Sequence, residues 1–356
     1  MRFLMWDDSV IGKIDESYSV QFVQPNFNEV VKMYTHGRTT WTADEFGEFL
    51  TGRVVSRDRR DIEKILFRCG LSYYDPIKIA KFTRGVHPND LLWISESENE
   101  KLNDIISDVF ESVFYQKFDA IGDSIDTPEG YNIKRYGVFN EQYGIYKQRI
   151  SPLMTDVESE IAVYLLAKRL GVACCPAHRV DDKTMFSTFL YDFREEYIVH
   201  FRRLFDGARS DNEYQNLVNV RPQYRDSIVQ MIVLDFITRQ DDRHLSNLAI
   251  KVSGSEESFY PLYDNGRSLF YEDTEELVEL ALIDVGLYST TFGYAGTYWD
   301  FIQEITAEGT KISDIVDLSI TQDEITDILT TAGFKGYRYM GALAWITKTI
   351  EKIKEL

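Results

Sequence analysis

Apolar residues follow two rhythms along this chain, and the change from one to the other marks its organisation. Helical spacing comes first. "TTWTADEFGEFLTGRV" sets a capping box, Thr42 to Glu45, ahead of an amphipathic run. "RRDIEKILFRCGL" repeats Ile62, Ile65 and Leu66 at helical spacing and stops at Gly70. "NEKLNDIISDVFESVFYQKF" continues in the same way. Residues 1 to 120 are therefore expected to be mixed but helix-rich, with charges on solvated faces and no catalytic residue.

Between 130 and 150 the spacing shortens to alternation. "YNIKRYGVFNEQYGIYKQRI" is rich in Tyr, Ile, Val and Phe, breaks at Asn140-Glu141, and predicts a β-hairpin. Lys147 falls on its second strand; taken alone it reads as an edge-strand lysine turned to solvent. "SPLMTDVESEIAVYLLAKRLGV" then returns to helical spacing, with Thr155 as N-cap, Glu158 closing a capping box and Gly171 where the helix stops. Glu158 is thereby assigned to the helix end. Glu160 is rotated from it by roughly 200° and has no local role in this reading.

Strand-like "AHRVDD" and "MFSTFLYDF" follow, then "PQYRDSIVQMIVLDFITRQ", apolar around most of its circumference and expected to be a buried helix. Two short strands, "LAIKV" and "SFYPLYD", are joined by the turn-forming "SGSEES". From about 273 the chain reads as mainly helical, with a capping box at Thr321 to Glu324.

Composition narrows the class. The 356 residues, 44% hydrophobic and 14% aromatic, suffice for a sizeable core and two domains or lobes. A formal charge of -19 argues against direct binding of nucleic acid, whose phosphates need a basic surface. Cys69, Cys174 and Cys175 have no metal-ligand spacing. No run of about 18 apolar residues is present to span a membrane, and the N-terminus lacks the pattern of a signal peptide. A cytoplasmic protein without membrane contact is the expectation.

Candidate chemistry gathers in "ITRQDDRHLSNLAI", polar residues packed between apolar runs. Asp242 and Asn247 stand five apart, and Asp264-Asn265-Gly266 follows after the length of a small hairpin. With a strand lysine and a helix glutamate upstream, this is the set that phosphoryl transfer from ATP requires. One carboxylate orients the attacking hydroxyl, an amide oxygen and a second carboxylate hold Mg²⁺, and a lysine held by a glutamate binds phosphate. His244 reads as a structural histidine and Asp241 as a loop acid facing solvent.

These residues resemble a known family. "DDRHLSN" with "YPLYDNGRSLF" is similar to the catalytic and metal-binding segments of HipA-like serine/threonine kinases, whose Asp-x-His-x-x-Asn loop is shared with phosphatidylinositol kinases. "ESEIAVYLLAKRLGV" resembles that family's glutamate-bearing helix and "GIYKQR" its lysine strand; the likeness spans about residues 120 to 340. The resemblance implies Asp242 as catalytic base, Asn247 and Asp264 as metal ligands, Lys147 on the ATP phosphates, and Glu160 as the ion-pair partner of Lys147. It also implies a protein substrate, often a component of translation, and a neutralising antitoxin-type protein partner. The phosphate loop departs from the family: "IGDSIDTPEGYNIK" is acidic and holds only Gly122 and Gly130. Ser124 and Lys134 are the candidate phosphate contacts there, and Ser124 or Thr127 the candidate autophosphorylation sites.

The expected fold is α+β, two-lobed and protein-kinase-like. Residues 1–120 form an N-terminal region packed on the small lobe. Residues 121–195 form that lobe, with the hairpin and the Glu160 helix, and 196–356 a helical lobe, with ATP in the cleft between lobes. The alternatives are a lipid or small-molecule kinase and a nucleotide-binding pseudokinase scaffold.

Overall fold

In the computed structural model of the chain, residues 2–59, 61–105, 134–205, 212–290, 292 and 296–356 are described. The N-terminal stretch is mixed, as its spacing suggests, but its helices accompany a sheet that the spacing did not reveal. "FLMW" and "SVIGKI" form strands β1 (Phe3–Trp6) and β2 (Ser9–Ile14), which turn at Asp7, whose φ is +49°. With β3 (Val20–Phe22), β4 (Thr40–Trp41) and β5 (Leu92–Ser95) they make a sheet of order β4-β3-β2-β1-β5. β1 pairs antiparallel with β5, matching Met5 to Trp93, almost ninety residues away. Among these strands lie helices α1 (Glu29–Thr35), α2 (Ala43–Thr51), α3 (Ile62–Arg68) and α4 (Pro76–Thr83). The capping box at Thr42 and Glu45 is present. The segment beyond 105 that reads as helix lies outside the described residues.

Nor are all charges of this region solvated. Arg53 and Asp90 are buried and bond each other through two contacts of 2.8 Å. Arg53 also donates to the carbonyls of Gly85 and Leu92, each at 2.7 Å.

The hairpin forms as its alternation predicts, β6 (Lys134–Phe139) against β7 (Gln142–Gln148), with positive φ at both Asn140 and Glu141. Gly137 and Gly144 face each other across it. A Cβ on Gly144 would sit 2.1 Å from the Ser187 carbonyl oxygen, and one on Gly137 would sit 2.5 Å from the Tyr146 ring. The glycine pair is what lets aromatic rings lie flat on a strand with neighbours on both sides. β8 (Ala177–Asp181) and β9 (Thr184–Thr188) complete a sheet of order β6-β7-β9-β8, so β7 is an interior strand. β10 (Glu196–His200), β11 (Ala249–Ser253) and β12 (Glu256–Phe259) form a third sheet in that order.

Two compact units result. One comprises Met1–Gln148, Thr184–Val199 and Lys251–Glu257; the other Arg149–Lys183, His200–Ile250 and Ser258–Leu356. In the first, Met5, Val86, Trp93, Leu102 and Tyr136 share one apolar cluster, which unites the N-terminal sheet with the hairpin. The second holds helices α5 (Asp156–Leu170), α6 (Glu213–Val220), α7 (Arg225–Thr238), α8 (Glu275–Ala281), α9 (Tyr298–Ala307), α10 (Gln322–Ala332) and α11 (Gly336–Lys354). The Glu160 helix, α5, therefore falls in the unit that contains Asp242, whereas the sequence reading grouped it with the hairpin.

In the second unit α7 is buried almost all round, as its apolar circumference predicts, and packs on α9 and α11. Trp345 Nε1 on α11 donates to the Phe236 carbonyl at 3.0 Å. Among the described residues no helix is long and apolar enough to cross a membrane.

Candidate active site

The site is built where α7 ends. Asp235 is the one carboxylate in a buried apolar run, and it is nearly inaccessible. Arg239 takes a left-handed conformation and stops the helix. The next residue, Gln240, is fully buried; its Oε1 accepts the Asp242 N–H at 3.0 Å. Asp242 is thus fixed through its backbone while its side chain stays 38% exposed.

The five-residue spacing has a local cause. Asn247 Nδ2 donates to the Asp242 carbonyl at 2.9 Å and closes the loop. That bond uses one N–H of the amide and fixes the orientation of the group, leaving the carboxamide oxygen as the acceptor Asn247 can offer elsewhere. His244 Nδ1 accepts from Ser246 N–H at 3.2 Å, the structural role read from the sequence.

Arg243 does more than sequence reading assigned to it. Its guanidinium is buried and bonds both oxygens of Asp235, at 2.9 and 3.0 Å. Its remaining N–H groups reach the Asn247 carbonyl at 3.4 Å, the Tyr263 carbonyl at 3.1 Å and Asn265 Oδ1 at 2.7 Å. Burial alone would pull its pKa down, but the Asp235 charge and hydrogen bonds push it up, so Arg243 stays ionised. The signal that could have found this tie is Asp235 itself, since a carboxylate inside an apolar helix needs a partner.

Asp264 lies on the return segment with φ at +58°, a conformation uncommon for a residue bearing a side chain. The backbone beside it is held from α5: Asn265 N–H donates to Glu160 Oε2 at 3.1 Å. Glu160, without a role close by in the chain, is thus used by a turn 105 residues on. At Gly266 an added Cβ would lie 3.4 Å from the Asp156 carbonyl oxygen and 3.5 Å from Glu160, so helix and turn meet at close range. Ser159 Oγ donates to the Ser268 carbonyl at 2.7 Å and tightens the same seam.

The start of α5 corrects the sequence reading. The expected capping box of Thr155 and Glu158 does not form; Thr155 makes no side-chain cap bond. Glu158 instead makes a two-point pair with Arg149, at 2.6 and 2.7 Å. A guanidinium fork satisfies both carboxylate oxygens with charge-assisted bonds, which a single backbone N–H cannot match.

Asp241 is also not the solvent-facing acid expected. It lies 3.1 Å from Arg267 Nε, and burial, only partly opposed by Arg267, raises its pKa to about 6. Arg267 Nη1 lies 3.6 Å from the Asp242 carboxylate.

Lys147 and Lys134 belong to the other unit. They are direct partners across the hairpin, so they share one face of the sheet, and both are buried. The edge-strand reading of Lys147 fails because β9 occupies the far side of β7, pairing Met185 with Lys147. Ser124, Thr127 and the acidic loop between Gly122 and Gly130 lie outside the described residues.

Within the second unit the structure thus brings together Glu160, Asp242 and Asn247 with the Asp264 turn. Asn247 and Asp264 are hard oxygen donors. Among the described residues no group of three or more His, Cys, Asp or Glu could hold a metal ion.

No family model and no curated protein matches this sequence. Among solved structures, the chain is similar over 100% of both lengths to HipA of Shewanella oneidensis MR-1, at 11% identity and a TM-score of 0.58. That protein was solved in the HipA, HipB toxin–antitoxin system with its operator DNA. The proinflammatory kinase CtkA of Helicobacter pylori matches 65% of this chain and 90% of its own, at 14% identity and a TM-score of 0.49. The fold is therefore mixed α+β and HipA-like. The expectation of no direct nucleic-acid contact draws no support from a neighbour solved with DNA.

Proposed function

We propose that this chain is an ATP- and Mg²⁺-dependent serine/threonine protein kinase of the HipA type. The observation that carries this reading is the Arg243 tie. One buried guanidinium, neutralised by Asp235, bonds both the loop with Asp242 and Asn247 and the turn with Asp264. Phosphoryl transfer asks a protein mainly for positioning and for compensation of charge, and a shared buried tie supplies positioning.

In this reading Asp242 orients the acceptor hydroxyl and takes its proton. The Asn247 carboxamide oxygen and the Asp264 carboxylate hold Mg²⁺, which prefers few protein oxygens and keeps other positions for water and phosphate. When bound, the ion neutralises charge on the phosphoryl group. Glu160 steadies the Asp264 turn through the Asn265 N–H. Lys147 is assigned to the ATP phosphates, with Lys134 beside it. The substrate would be a protein, with a component of translation as first candidate. A neutralising protein partner is part of the proposal, by analogy with HipA and HipB.

Transfer of labelled phosphate from ATP with Mg²⁺, to the chain itself and to a cell lysate, tests this reading. Asp242→Asn is expected to lower transfer by about 10²- to 10⁴-fold, the loss of a general base, at unchanged thermal stability. Asp241→Asn is expected to keep transfer within about threefold of wild type. Equal loss in both would remove the assignment of Asp242 as base. Nucleotide binding without any transfer would point to a scaffold or to a non-protein acceptor.

A further inference from the structure

Tyr263 directly precedes Asp264, and Ser246 directly precedes Asn247. A bond between Tyr263 and Ser246 therefore acts on both candidate metal ligands. The Tyr263 hydroxyl donates to the Ser246 carbonyl at 3.1 Å and lies 2.8 Å from His200 Nδ1. A hydroxyl has one proton to give; with that proton on Ser246, the Tyr263 oxygen is left to accept from the His200 ring in the tautomer that carries its hydrogen on Nδ1. His200 remains neutral over the physiological range, because burial, then the nearby Arg203 and His244 charges, hold its pKa down at about 4. The Tyr263–Ser246 bond is separate from the Arg243 tie, which reaches the Asn247 and Tyr263 carbonyls through a different side chain.

We propose that Tyr263 and His200 are positioning residues of the metal–nucleotide site, fixing the Asn247 loop against the Asp264 turn so that both oxygens reach one cation. The proposal rests on the kinase reading above and deepens it. In the Nδ1–H tautomer His200 donates to the Tyr263 oxygen and so orients the hydroxyl proton toward Ser246. Loss of the hydroxyl would remove one of the bonds between the loop and the turn, and the two ligands would be held less closely together. Such second-layer partners tune metal affinity without touching the ion.

The test is fluorescence titration of the full-length protein with trinitrophenyl-ATP over a series of Mg²⁺ concentrations, reading the Mg²⁺ concentration at half-maximal enhancement. Tyr263→Phe is expected to raise that concentration about tenfold while leaving nucleotide binding without Mg²⁺ unchanged. His200→Leu should raise it by about threefold, and His200→Asn, whose amide can donate to the hydroxyl, should return it toward wild type. Values for Tyr263→Phe within about twofold of wild type would overturn the proposal. If Tyr263→Phe does not fold, the pair of His200 variants decides: equal values for both overturn it, and rescue by Asn supports it. Wild-type binding that ignores Mg²⁺ altogether would instead overturn the kinase reading, and this proposal with it; that failure shows in the unmutated protein.

Discussion

Arg53 in the first unit and Arg243 in the second are each buried against one aspartate, and each has N–H groups to spare once that pair is made. Their burial is nearly the same: 3% and 0% of the side chains of Arg53 and Asp90 are exposed, 0% and 1% of those of Arg243 and Asp235. The difference lies in where the spare donors go. Those of Arg53 end on the Gly85 and Leu92 carbonyls, beside and within β5, so the pair braces a sheet. Those of Arg243 end on Asn247, Tyr263 and Asn265, around the polar loop and the Asp264 turn. A buried ion pair is weak evidence for function by itself, since its desolvation can offset its attraction. The identity of the groups on the leftover donors separates a brace from a site.

The largest effect should come from removing each arginine. Arg53→Leu and Arg243→Leu both strand a buried carboxylate, and each is expected to lower stability by about 3–5 kcal/mol in denaturant unfolding. At a temperature where both variants remain folded, only Arg243→Leu should lose Mg²⁺-dependent nucleotide binding. Equal loss of binding in Arg53→Leu would erase the distinction between the two pairs.

A smaller effect sharpens it. Replacing both members of a pair with apolar residues of similar volume removes the stranded charge, and such exchanges are often neutral. Arg53→Met with Asp90→Leu, and Arg243→Met with Asp235→Leu, should each recover stability to within about 2 kcal/mol of wild type, the residue being carbonyls left without donors. Binding of nucleotide should remain lost in the second double variant. Recovery there would mean that Arg243 matters for the fold alone.

How much of this was legible beforehand depended on how local each interaction is. The hairpin could be read because alternation and the Asn140-Glu141 break lie within one short stretch. The capping boxes at Thr42 and Thr321 are formed by residues three apart, and both are present. The box at Thr155 has the same spacing and fails, because Arg149 competes for Glu158. The five-stranded sheet escaped the sequence reading because its strands are short and β1 finds β5 far along the chain. At the site, the Asp242 to Asn247 spacing was visible because one side-chain bond closes it. The Arg243 bonds to Tyr263 and Asn265, twenty and twenty-two residues on, leave no periodic trace.

The smallest predicted effect concerns a carboxylate without an arginine fork of its own. Asp156 is buried at the start of α5, and Oδ2 accepts the Ile150 N–H at 3.1 Å. Oδ1 makes no hydrogen bond among the described residues. Arg149, the nearby cation, has both of its terminal nitrogens on Glu158. Burial therefore dominates and raises the Asp156 pKa from 3.8 to about 6, opposed by the Ile150 bond and by Arg149. A raised acid binds its proton more tightly folded than unfolded, so this group favours the folded state below the unfolded value. That contribution is lost as pH rises from about 4 to about 6. Asp156→Asn keeps an oxygen for Ile150 and never ionises, so at pH 7.5 it should be about 1–2 kcal/mol more stable than wild type. Below about pH 4 the advantage should vanish, since both side chains are then neutral. Unfolding curves at the two pH values read this directly. An Asn variant less stable at pH 7.5 would mean that the Asp156 charge is held by its surroundings, as those of Asp90 and Asp235 are by their arginines.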